Sequence, residues 1–151
     1  MISKKALLAI PSIPALAALA VFTAAGPANA EEGNGGKFAT SYAVANGPCV
    51  GTVDTYVGGN FYPGMAGFTV ATQLYGIGPC TLPITLNWRN LDTGETGSVA
   101  KEARGPGYWG SDGRGALFSP GLGRFSATIT IGGAHLPDPG TVEFSVKKYE
   151  G

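Results

Sequence analysis

From residue 37 onward, apolar side chains recur at every second position almost everywhere. In "FTVATQLY", Phe68, Val70 and Leu74 share one face, with Thr69, Ala71 and Gln73 opposite. "TLPITLNW" places Leu82, Ile84, Leu86 and Trp88 together, and "GRFSATITI" does the same for Phe125, Ala127, Ile129 and Ile131. "TVEFSVKK" gives Val142, Phe144 and Val146 against Thr141, Glu143, Ser145 and Lys147. A period of two is the pattern of a strand with one face in a core and one in water. Helical spacing is missing from this region, and 25 glycines with 11 prolines oppose long helices.

The runs predict strands near 38–45, 49–58, 67–75, 82–90, 97–103, 115–119, 124–131 and 141–149. Asp92-Thr93-Gly94 and Asp138-Pro139-Gly140 supply turn chemistry between them. Pro83, early in its run, implies an edge or a bulge. Seven or eight short strands in one domain fit a single antiparallel β-sandwich, with a small closed barrel as the alternative.

The two cysteines, Cys49 and Cys80, each close a Gly-Pro-Cys tripeptide and each open a strand-like run. If successive strands alternate in direction, both begin at the same end of the molecule. Pro48 and Pro79 suit positions where the chain leaves a loop and needs no ladder donor. A disulfide between two strand starts is the expected result.

Trp88 on a central strand and the Gly123-Arg124-Phe125 opening of a late strand resemble the immunoglobulin-like or fibronectin-like sandwich domains of small exported bacterial proteins. The resemblance implies that architecture and no particular ligand. It departs at Phe125, which lacks the hydroxyl of a tyrosine corner, and at the cysteines, which do not occupy the strands that antibody domains join.

The first thirty residues have a different grammar. Lys4 and Lys5 precede an apolar segment that ends at Ala28-Asn29-Ala30, the order of a secretory signal peptide. Cleavage after Ala30 would leave a short flexible leader at 31–36 and a sandwich domain at 37–151, secreted or held at the cell envelope. No apolar run after Ala30 is long enough to cross a membrane as a helix. The chain has ten basic and ten acidic side chains; losing Lys4 and Lys5 leaves a net charge of about −2. That balance offers no basic stripe to nucleic acid.

Chemistry-bearing motifs are scarce. His135 is the single histidine, no serine sits in a nucleophile turn, and the carboxylates are scattered. "GPGYWG" matches the glycine spacing of dinucleotide loops without the strand–helix context that gives it meaning. No cofactor, metal site or catalytic residue is therefore expected. "RGPGYWGSDGRG" instead holds Tyr108 and Trp109 among glycines and polar residues, in what reads as a loop. Strand alternation groups that loop with 76–81 and 132–140, and sets 58–67, with Phe61 and Tyr62, at the opposite end. Tyr108, Trp109, Arg114, His135 and Asp138 form the candidate ligand-binding patch. The expected function is binding of an extracellular or envelope protein or glycan. A small secreted enzyme or enzyme inhibitor, and a self-associating envelope protein, are the alternatives.

Overall fold

A computed structural model describes residues 34–151 of the chain. The expected signal segment and the first residues of the leader lie outside the described residues. Among the described residues the fold is all-β, with one short 3-10 turn. In chain order the strands are β1 (Gly36–Lys37), β2 (Ser41–Val44), β3 (Cys49–Tyr62), β4 (Met65–Gly76) and β5 (Cys80–Asn90). They continue as β6 (Thr96–Gly105), β7 (Gly107–Ser111), β8 (Leu117–Phe118), β9 (Gly123–Ile131), β10 (His135–Leu136) and β11 (Thr141–Val146), with the 3-10 turn at Gly113–Ala116.

Two antiparallel sheets share these strands. One has the order β10-β2-β3-β4-β7, with β1 also against β3 and β8 also against β4; the other has the order β11-β9-β5-β6. Neither sheet closes on itself, so the barrel alternative does not form. The alternating apolar residues of both sheets meet in one core. Val53, Val57, Phe68 and Leu74 come from the first sheet, and Leu82, Ile84, Leu86 and Phe125 from the second; all eight are buried.

The Cys49–Cys80 disulfide joins the start of β3 in the first sheet to the start of β5 in the second. The repeated Gly-Pro-Cys phrase thus packs against itself. Gly47 has φ +101°, and a Cβ there would stand 2.6 Å from the Pro79 carbonyl oxygen. Only glycine gives both the left-handed backbone and the close approach. Beside it, Asn46 and Thr81 exchange two backbone hydrogen bonds of 2.8 and 2.9 Å. The far end is held by aromatic packing: Phe125 stacks on Phe144 at 5.0 Å, and Trp88 meets Phe125 edge-on at 5.7 Å.

Three expectations change. Pro83 lies on β5, the strand flanked by both β6 and β9, and not at an edge. It is tolerated because the ladder to β9 ends one residue away, at Ile84 opposite Ile131, and Pro83 only accepts from the Gly132 amide at 2.8 Å. The region expected as a strand at 115–119 is the 3-10 turn followed by the two-residue β8. The glycine-rich stretch read as a loop around Tyr108 is strand β7, recruited by pairing along β4 from Leu74 opposite Gly107 to Val70 opposite Ser111.

Candidate functional site: the outer face of the seven-stranded sheet

Placing Tyr108 and Trp109 on a strand separates them, since adjacent residues point to opposite faces. Trp109 turns inward and packs against the core, whereas Tyr108 projects outward and is 70% exposed. Arg114 is exposed on the 3-10 turn beyond β7. His135 pairs with Ala43 on the other edge of the sheet, with Nδ1 2.8 Å from the Gly133 carbonyl oxygen. Asp138 lies just past it, accepting from the Gly140 amide at 2.7 Å. Four strand spacings, about 19 Å, separate the β10 and β7 edges. The structure therefore brings Tyr108, Trp109 and Arg114 together along one edge and His135 and Asp138 along the other. Alternation of strand direction assigns loops to ends of a sandwich; it does not say which edge a later strand will join.

What Tyr108 does join is the outer face of its own sheet. Residues directly opposite in antiparallel strands share a face, so the register reads off its rows. Nearest the disulfide stand Val44, Val50 and Tyr75. The next row is Leu136, Tyr42, Thr52, Gln73 and Tyr108. Asp54, Ala71 and Gly110 follow, then Lys37, Tyr56 and Thr69. Tyr42 and Tyr75 are 67% and 64% exposed, and Ile77, in the turn beyond Tyr75, is 98% exposed.

Phe61 completes this face, against the expectation that it belongs only to the opposite end. A register shift between Gly58 and Tyr62 lets the chain fold back. The Phe61 ring lies over Gly58 and Gly67, where added Cβ atoms would meet it at 2.8 and 2.0 Å. It stacks against Tyr56 with ring centroids 6.0 Å apart. Tyr108 also lies down on the sheet, its hydroxyl 2.6 Å from where a Cβ on Gly110 would stand.

Between Tyr56 and Tyr108 the face sinks into a shallow cleft of about 220 Å³. Ala71 lies between the two rings, and Asp54, Lys37 and Asp112 stand at the margins. Asp54 Oδ1 accepts from Lys37 Nζ at 2.6 Å and from the Thr40 hydroxyl at 2.5 Å. The bonds from Lys37 and Thr40 hold the Asp54 carboxyl below the usual carboxylate range, against a small opposing effect of burial. The cleft thus has two aromatic walls, a fixed carboxylate and an ammonium group.

The second sheet presents a contrasting outer face. Its rows are Thr141, Thr128, Asn87 and Ser98, and Glu143, Ser126, Arg89 and Thr96. A broad open trough of about 770 Å³ crosses these polar groups. Among the described residues, no group of three or more His, Cys, Asp or Glu side chains converges as a metal site would require.

No protein-family model, curated protein or solved structure matches this chain. The aromatic face was visible in the same alternation that located the core. Tyr42, Val44, Val50 and Tyr75 occupy wet-face positions where the other runs carry Thr, Ser or charged residues.

Proposed function

We propose that the protein is an exported, non-enzymatic binding module that presents the outer face of its seven-stranded sheet to an extracellular or envelope component. The observation that carries this reading is the difference between its two outer faces. A solvated antiparallel face is ordinarily polar, as the Thr- and Ser-rich face is. The opposite face keeps Tyr42, Tyr75 and Tyr108 in water. Exposed apolar groups gathered on one surface mark an interaction site. Covering one such tyrosine gives a gross gain of roughly 2–3 kcal/mol before the costs of association.

Export is supported by the signal-peptide pattern of the first thirty residues and by a disulfide, which persists in oxidising compartments. Asp54, bonded by Lys37 and Thr40, and Asp92, bonded first by the Arg124 backbone amide and then by its side chain, are held ionised, which does not suit either of them to act as a general acid. The immunoglobulin-like architecture is supported by Trp88 seated on Phe125 across two core strands. Affinity capture from envelope and culture supernatant tests the function. The wild-type protein should retain a component that a folded Tyr42→Ser, Tyr75→Ser, Tyr108→Ser variant releases. Equal retention by both, or none by either, overturns the reading.

One observation favours self-association as a second reading. The row of Val44, Val50 and Tyr75, with Ile77 beyond it, carries no charge, so two copies could meet there without repulsion. Val50→Lys, which puts a charge at its centre, should then lower the sedimentation-derived mass at high concentration. A wild-type protein monomeric throughout excludes this reading.

A further inference from the structure

We propose, resting on the binding-module reading, that the cleft between Tyr56 and Tyr108 is a subsite for one ring of a neutral polysaccharide. Its shape follows from small residues between large ones. Ala71 and Gly110 form one row of the sheet, between the row that bears Tyr108 and the row that bears Tyr56. Phe61 buttresses the Tyr56 wall from behind, and Gly110 gives the Tyr108 ring space to lie down. At about 220 Å³ the cleft is smaller than the roughly 300–1,000 Å³ of a drug-sized pocket. It suits a single ring, and its open side lets a longer chain continue across the sheet.

The chemistry of the walls selects the ligand. A pyranose has apolar C–H faces and a rim of hydroxyls, so it needs aromatic surface and polar groups side by side. Tyr56 and Tyr108 supply the first. For the second, the bonds from Lys37 and Thr40 both fall on Oδ1 of Asp54, leaving Oδ2 to accept from a hydroxyl. Lys37 can donate its other ammonium hydrogens to ring oxygens. The nearby charges reject other classes. Asp54 and Asp112 against Lys37 leave the cleft net negative, which disfavours phosphate, sulfate and uronate groups. Against a ligand cation, the Asp54 carboxylate is already paired with Lys37. An extended peptide lying across the face gains no ladder, because the strands beneath the cleft pair with one another and only the outer edge of β7 is open.

The test is affinity electrophoresis of the protein, purified after export from cells expressing the full chain. Native gels would contain mixed-linkage β-glucan, glycogen or galactomannan, with polygalacturonate and dextran sulfate as anionic controls. At least one neutral polysaccharide should retard the wild type. Tyr56→Ala and Tyr108→Ala should weaken that retardation at least tenfold, with near-UV circular dichroism confirming their fold. Gly110→Ala keeps both walls but pushes the Tyr108 hydroxyl aside, and should weaken it several-fold. Ser98→Ala, on the outer face of the other sheet, should leave it unchanged.

Retardation by the anionic polymers alone overturns the inference, as does neutral binding indifferent to the cleft variants. If no neutral polysaccharide retards the protein but envelope capture recovers a protein that depends on the tyrosine face, the subsite falls and the binding module stands. If neither assay finds a ligand, both fall.

Discussion

Tyr108 and Trp109 are neighbours in sequence with opposite physical situations, and substitution should separate them. Trp109 packs on the core, so Trp109→Ala should destabilise by about 2–3 kcal/mol, below the roughly 3–5 of a fully buried aromatic. Tyr108→Ala removes an exposed ring and should change stability by less than about 0.5 kcal/mol. Urea titration of the two variants checks this; similar losses would mean that Tyr108 has a core contact. Asp92 offers a second residue-scale test. Its carboxylate accepts from the Arg124 amide at 3.0 Å and pairs with the Arg124 guanidinium at 3.0 Å. These bonds, the backbone one first, lower its pKa from the ordinary 3.8. A lowered folded-state pKa contributes stability that is present above the unfolded value and is lost as pH falls through the folded one. Melting temperature should therefore fall below about pH 4, and Asp92→Asn should flatten that fall while lowering stability at neutral pH. An unchanged acid slope in the variant would show that Asp92 contributes none of it.

At the scale of elements, the disulfide matters because it links strands of different sheets. The Cys49 and Cys80 positions are 31 residues apart, and closing such a loop restricts the unfolded chain. Cys49→Ser with Cys80→Ser should cost roughly 3–4 kcal/mol on the chain-entropy model, measured by denaturant unfolding. A loss near zero would show that the Asn46–Thr81 bridge and the packed glycines hold that end unaided. The edge strand β6 shows a different device. Lys101 faces the core side, opposite Ile84, and its amine donates to the Gly115 carbonyl of the 3-10 turn. An inward-facing charge on an edge discourages pairing with another chain. The same bond ties the crossover from β7 to β8 against the open side between the sheets.

Across the whole molecule, the two ends are secured independently: a disulfide at one and the Trp88–Phe125–Phe144 cluster at the other. Cys80 and the Asn90 rung opposite Phe125 bound β5, about 33 Å apart at strand rise. Changes so far apart should add. Phe125→Leu, costing about 1–2 kcal/mol, combined with the cysteine pair should equal the sum of the separate losses within about 0.5 kcal/mol. A larger discrepancy would reveal coupling through the core. Period-two alternation already determined the all-β class, the buried faces of β4, β5, β9 and β11, and the cysteine pairing, because each depends on local spacing or on parity of strand direction. Strand recruitment was not local. That β7 would pair with β4, that Pro83 would sit where a ladder ends, and that Phe61 would fold onto the glycines of its own sheet depend on which backbone donors and surfaces remain unpaired after the core has formed. The cleft between Tyr56 and Tyr108 was decided at that level, since its walls are 52 positions apart in sequence and meet only through the register of three strands.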